Sequence, residues 1–201
     1  MIFFFRTLAE SHQARAVAVV LSGTGADGSM GIKRIKENGG ATFVQNPSEA
    51  EFSEMPRNSI ATELIDEVLN VADIPAKIVV YRENIGRTII PFVDDPEHEQ
   101  QQALREIFTM LRVRTGHGFT NYKRPTVLRR IERRINVRGM NDIADYSAYL
   151  KENKDETQFL IKDLLISVTN FFRDKEAFLF CEKEILPLLL ENKTSKDQIR
   201  L

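Results

Sequence analysis

Residues Ala16 to Glu37 read AVAVVLSGTGADGSMGIKRIKE. The valine-rich run from Ala16 to Leu21 is too short for a globular helix, which predicts a strand buried on both faces. It breaks into SGTGADG, after which Ile32 and Ile35 recur at helical spacing among Lys33, Arg34, Lys36 and Glu37. The glycines therefore lie between the C-terminal end of a strand and the N-terminal end of a helix. Open α/β sheets place ligands and catalytic groups in that crevice.

Three readings of the turn stay open on the residues alone. Nucleotide binding fits poorly, because the glycines are wrongly spaced for a dinucleotide loop and no GK[ST] follows. Asp27 serves either as a helix cap beside glycines that permit a tight turn, or as a buried carboxylate that orients a catalytic histidine. Further along, Asn38-Gly39-Gly40 stops the helix, Ala41 to Gln45 reads as a second strand, and a short helix runs from about Arg57 to Thr62. Glu67 to Val71 reads as an edge strand and Pro75 to Tyr81 as a closing helix. The alternation implies about half of a doubly wound α/β sheet, with an open edge that calls for a covering partner.

The stretch LSGTGADGSMGIKRIKENGGATFVQNPSEAEFSEMPRNSIAT, residues 21–62, closely resembles the C-terminal part of the chemotaxis receptor methylesterase (CheB) family. The resemblance implies a doubly wound fold that hydrolyses glutamyl methyl esters, and deamidates some glutamines, with a Ser-His-Asp triad. It makes Asp27 the triad acid and Thr24 a backbone N–H donor near the oxyanion, and it puts Met55-Pro56-Arg57 near the active-site face. In that family the serine and histidine lie well upstream of the aspartate. Here 26 residues precede Asp27, and their one histidine, His12, sits in a polar segment and reads as a surface residue. Ser22 and Ser29 are too close to Asp27 in sequence to presume a triad role. The expectation is that this chain alone lacks ester hydrolysis.

A length of 201 residues allows one domain or two small ones. Hydrophobic content of 42%, with 13 Phe, supplies real cores. The single cysteine, Cys181, excludes an internal disulfide framework and a cysteine-based zinc site, no other metal site is expected, and a reducing, cytoplasmic setting fits. MIFFFRTLAE reads as neither signal peptide nor membrane span; Phe3 to Phe5 read as part of a helix packed on the sheet. Net charge is −1 overall but +8 within residues 105–138, against −3 in 1–81, −3 in 82–104 and −3 in 139–201. One segment thus holds nearly all of the positive field.

Residues 82–104 read as a linker, with His98 silent within it. Beyond it Leu104, Ile107, Phe108 and Leu111 form one helical stripe. Pro125 opens a second helix whose core face is Leu128, Ile131 and Ile135. Arg129 and Arg133, and Arg130 and Arg134, are like-charged i,i+4 pairs that weaken an isolated helix, so an anionic partner explains them better than helix stability does. A solvated basic face and nucleic-acid binding are the alternatives, the latter weakened by the scarcity of base-reading side chains. Cys181 reads as packed among Phe178, Phe180 and Ile185.

TGHGFTNYKRPTVLRRIERRINVRGM, DIADYSAYL and LLISVTNFFRDKEAF resemble the N-terminal portion of the chemotaxis receptor methyltransferase (CheR) family. That family joins a small all-helical domain to a Rossmann-like domain that methylates receptor glutamates from S-adenosylmethionine. The resemblance implies that Arg129, Arg130, Arg133 and Arg134, extended by Lys123 and Arg124, contact the acidic receptor methylation region. It places Arg173 against the adenosylmethionine carboxylate, a task suited to bidentate guanidinium pairing, with Thr169 and Asn170 nearby. The expected organisation is a methylesterase part (1–81), a linker (82–104), a helical domain (105–190) and the start of a methyl-donor domain (191–201). The whole reads as the junction of a methylesterase–methyltransferase fusion acting on chemoreceptors at membrane arrays. Its expected partners are those receptors and the remainder of the same fusion protein; neither nucleic-acid binding nor membrane insertion is expected. Weak or no S-adenosylmethionine binding is expected from this chain alone.

Overall fold

A computed structural model describes residues 2–26, 28–87, 98–116, 118–119, 122–166 and 175–190. Helix α1 (Ile2–His12) leads through a 3-10 turn (Gln13–Arg15) into strand β1 (Val17–Val20), helix α2 (Ser29–Glu37) and strand β2 (Ala41–Gln45). Helix α3 (Glu54–Ala61), strand β3 (Glu67–Leu69) and helix α4 (Ile74–Asn84) complete the α/β part. The strands form a parallel sheet in the order β1-β2-β3, with Val17 beside Ala41 and Phe43 beside Glu67.

All five residues of β2 are buried, whereas Val17 and Val19 of β1 are half-buried and Leu21 is exposed. Among the described strands, burial on both faces, expected for the first, is seen in the second, which β1 and β3 flank. Period-two alternation divides the core. Ala18, Val20 and Val44 pack with Phe5, Ala9, Ile32, Ile35 and Ile65, and Ala41 and Phe43 pack with Tyr81 of α4. Phe5 docks α1 on α2 so closely that a Cβ at Gly31 would lie 2.6 Å from its ring. Phe3 and Phe4 point to solvent.

Helices α5 (His98–Thr115), α6 (Arg124–Arg138), α7 (Ile143–Glu152) and α8 (Lys154–Leu165) enclose a second core. Its members include Leu104, Ile107, Leu111, Leu128, Ile131, Ile135, Tyr146, Leu150 and Leu160. The proline of α6 sits in its first turn, and Gly139 closes the helix at φ +75, where the Met140 N–H bonds to the Ile135 carbonyl. Val137, on the far side of α6, joins Phe43 and Tyr81 beneath the sheet. By packing, residues 1–166 are one compact unit and a second unit follows Ile166. Three of the residues expected in the linker end α4, and residues 98–104 begin α5.

In the second unit, α9 (Lys175–Phe180), a π-helical turn (Cys181–Ile185) and α10 (Leu186–Leu190) follow one another. Cys181 is exposed rather than packed, and Phe178, Phe180 and Ile185 are exposed as well. Residues 191–201, the expected start of a Rossmann-like domain, lie outside the described residues. No helix among the described residues is long and apolar enough to cross a membrane.

Candidate functional site

The glycine-rich turn leaves the C-terminal end of β1 and is tied down from three sides. Ser22 N–H donates to Gln45 Oε1 (2.7 Å), and its hydroxyl accepts the Phe52 N–H (2.9 Å). Gly23 accepts from Met55 N–H (2.9 Å), Gly25 N–H reaches Glu54 Oε2 (3.1 Å), and Asn58 Nδ2 donates to the Gly25 carbonyl (3.0 Å). The Met55-Pro56-Arg57 run is thereby brought against the turn. Thr24 is exposed, and no described residue accepts its N–H. Asp27 lies outside the described residues; the residue that opens α2 is Gly28, without a side-chain cap. His12 ends α1 on the surface.

A second concentration of chemistry lies where α6 meets the sheet. Arg133 donates through Nε (3.0 Å) and Nη2 (2.8 Å) to the Gly40 carbonyl and pairs with Asp66 and Asp163. Arg134 forms a two-pronged pair with Glu156 (Nε–Oε1 2.7 Å, Nη2–Oε2 2.8 Å) and a third contact with Asp66 Oδ1 (2.9 Å). Lys36 Nζ stands 3.0 Å from Asp163 Oδ1 and 3.3 Å from Asp66 Oδ1, ionic contacts off the hydrogen-bonding direction. The three cations and three carboxylates are all buried, and their formal charges cancel.

Burial by itself raises the Asp66 carboxyl pKa, but Arg133, Lys36 and Arg134 outweigh it and hold the group well below the ordinary carboxylate range. Thr42 adds its N–H and hydroxyl to Asp66 Oδ2, each at 3.0 Å. Burial likewise opposes the charges of Arg133 and Arg134, yet their carboxylates keep both above the usual guanidinium value. Among the described residues no carboxylate pairs with Arg130. It donates to the carbonyls of Lys36 (3.0 Å) and Glu37 (3.3 Å), at the negative end of the α2 dipole, and burial pulls its pKa down. Outside this group, Arg138 bridges Glu156 and Glu67, and Lys77 reaches Glu67 at 2.8 Å.

The basic face expected to meet a receptor is thus divided. Arg130, Arg133 and Arg134 are buried inside the molecule, a correction to their reading as an outward surface; Lys123, Arg124 and Arg129 are exposed. The physical reason is that α6 is central, with Leu128, Ile131 and Ile135 turned to the helical core and the arginines turned to the α/β part. Near the exposed cations, Leu104, Phe108, Phe119, Tyr122 and Val127 line a groove of about 260 Å³ together with Arg105 and Arg124. Thr169, Asn170 and Arg173 lie outside the described residues. Among the described residues no group of His, Cys, Asp and Glu side chains is arranged to hold a metal ion.

Sequence reasoning missed Lys36, Asp66, Glu156 and Asp163. One signal was present: Glu156, Leu160 and Asp163 recur at helical spacing on the buried face of α8, so carboxylates sit at core positions. Those positions need buried cations, which the arginines of α6 supply.

Comparison with known families matches residues 3–78 to the CheB methylesterase family and residues 102–165 to the CheR methyltransferase, all-alpha domain. A 104.1 kDa protein of the hypE 3′ region of Rhodobacter capsulatus is 37% identical over 94% of this chain, which covers 22% of that protein. A putative protein-glutamate methylesterase/protein-glutamine glutaminase of Leptospira interrogans is 41% identical over 35% of the chain, which covers 36% of that relative. A protein-glutamate methylesterase/protein-glutamine glutaminase of Methanococcus maripaludis is 36% identical over 35% of the chain, and 19% of its own length is covered. The chain spans well under half the length of each of these relatives.

Proposed function

We infer that this chain, whose residues 3–78 belong to the CheB methylesterase family and whose residues 102–165 belong to the all-α part of the CheR methyltransferase family, is the joint of a bifunctional chemotaxis adaptation protein. The whole protein removes methyl groups from receptor glutamates, or deamidates glutamines, through its first part. It adds methyl groups from S-adenosylmethionine through its second. The observation that carries this reading is the R. capsulatus relative, which aligns across both segments and the stretch between them.

In this reading Asp27 is the triad acid and the Thr24 N–H an oxyanion donor, supported by the exposure of Thr24 and by its lack of an acceptor among the described residues. Arg173, Thr169 and Asn170 hold the carboxylate end of S-adenosylmethionine when the methyl-donor part is complete. Arg124, which lines the groove between α5 and α6, and the exposed Lys123 and Arg129 receive an acidic receptor helix, whose apolar side meets Phe108 and Phe119.

Fluorescence anisotropy of a labelled receptor methylation-helix peptide, titrated with the chain at fixed ionic strength, tests the docking role. Saturable binding that the combined change Lys123→Glu, Arg124→Glu, Arg129→Glu abolishes supports it. Equal or tighter binding of a duplex DNA of the same length overturns it in favour of a nucleic-acid role. Calorimetric titration with S-adenosylmethionine, with Arg173→Ala as control, reads the cofactor assignment. Saturable one-site heat lost in the control supports it, and heat that the control retains overturns it.

A further inference from the structure

We propose that the cavity where α6 meets the C-terminal end of α2 binds a small zwitterion of dipeptide size, whose carboxylate is held by Arg130 and whose ammonium is held by Asn136 and Glu132. This goes beyond receptor modification, and its test uses no receptor and no methyl donor.

The cavity holds about 400 Å³, within the range of small-molecule sites. One wall is a stripe of α6: Arg129, Glu132 and Asn136 are spaced i, i+3 and i+7, so all three lie on one face of the helix. The other walls come from residues 37–39 at the end of α2, residues 85–86 after α4, and the 3-10 turn. In that turn Gln13 holds φ +49, the left-handed region in which strain is retained where a site needs it.

Three polar groups of the cavity lack the partner that their chemistry asks for. Asn136 is 7% exposed, and its Oδ1 is buried with no donor among the described residues. An acceptor shut off from water is costly to leave unmet, and a ligand N–H would satisfy it. Glu132, half-buried one turn earlier, makes no hydrogen bond or ion pair with a described residue; burial raises its carboxyl pKa, and the Arg129 charge opposes the rise. Arg130 gives two of its five N–H groups to the Lys36 and Glu37 carbonyls, and among the described residues the rest meet no acceptor. Arg133 also lines the cavity, but Gly40, Asp66 and Asp163 already occupy it.

The unmet groups are therefore of both signs. A simple anion would pair with Arg130, but it would leave the Asn136 oxygen unmet and face the charge of Glu132. A simple cation would satisfy those two and be repelled by Arg130. A zwitterion meets all three, because an ammonium brings three donors to the acceptor end and a carboxylate accepts from guanidinium at the other. Spacing sets its length. Arg130 and Asn136 are six positions apart, about 9 Å along a helix. One residue is too short to bridge that distance, whereas two extended residues span about 7 Å and side-chain reach supplies the remainder.

Calorimetric titration of the folded full chain with L-alanyl-L-alanine tests the proposal. Saturable one-site binding is expected, with a Kd of about 1 mM or tighter. The N-acetylated and the C-amidated forms of the same dipeptide each lack one charge, and both are expected to bind at least about tenfold more weakly. No saturable heat up to about 10 mM dipeptide, or equal binding of either blocked form, overturns the proposal.

Asn136→Leu keeps the volume and removes the acceptor. It is expected to weaken the dipeptide at least about tenfold while the urea midpoint of the free chain stays level or rises, because an unmet polar atom is lost. A variant that binds as the natural chain does overturns the ammonium assignment.

Discussion

Replacing Asp66 with asparagine removes the carboxylate shared by Lys36, Arg133 and Arg134 while keeping the side chain's shape. The change leaves three buried cations facing only Asp163 and Glu156, an uncompensated positive charge in a group shielded from water. Removing one partner of a buried pair costs about 3–5 kcal/mol, and no cavity is opened to add to it. Domain stabilities run to about 5–15 kcal/mol, so the loss is a large share of the total. In urea unfolding followed by circular dichroism at pH 7, a slope of about 2 kcal/mol per molar converts it to a midpoint about 2 M lower.

The pH dependence has a definite sign. Burial raises the Asp66 pKa, but Arg133, Lys36 and Arg134 depress it further than burial raises it. The stability this carboxylate contributes is therefore complete above its unfolded value, near about 4, and is lost as pH falls from there toward the folded value. Asp66→Asn has no such group, so the gap between variant and natural chain narrows below about pH 4. A loss under about 1 kcal/mol at pH 7, or a gap that stays constant into acid, refutes the buried-charge reasoning. Adding Lys36→Met restores neutrality with an apolar side chain and is expected to recover part of the loss.

Gly139→Val forces a branched side chain onto φ +75 with its Cβ 2.7 Å from Val80 Cγ1, and a loss of about 1–3 kcal/mol is expected in the same urea assay. Tyr81→Phe deletes the hydroxyl that donates to the Ala14 carbonyl at 2.6 Å, for about 0.5–1.5 kcal/mol. Burial pushes the Tyr81 phenol far above its ordinary value, so the natural chain loses stability as pH rises past about 10, and the variant is expected to lose less by alkaline difference spectroscopy and unfolding. Ile131→Ala, at a fully buried position of the helical core, is expected to cost about 2–5 kcal/mol. The combined Lys123→Glu, Arg124→Glu, Arg129→Glu change is expected to move stability by about 0.5 kcal/mol or less per site and to weaken the acidic peptide by more than about tenfold.

Local pattern carried most of the elements. The strand Ala41–Gln45 has the same bounds in sequence and structure, and Pro125 and Gly139 bracket α6 because one fixes φ near −65° and the other accepts a positive φ. The i,i+4 arginine pairs pointed to an anionic partner outside the chain, and for Arg133 and Arg134 the structure holds carboxylates instead. The partner turned out to be internal, because Asp66 lies 67 residues and Asp163 30 residues from Arg133, separations that no periodicity reports.

From the residues alone came the two families, their order and the segment that concentrates positive charge, because motif and composition are properties of neighbouring positions. Only the tertiary structure decided that Arg133 and Arg134 neutralise carboxylates from both segments. A side chain's charge is written in the sequence, but the distance to its counterion is set by packing.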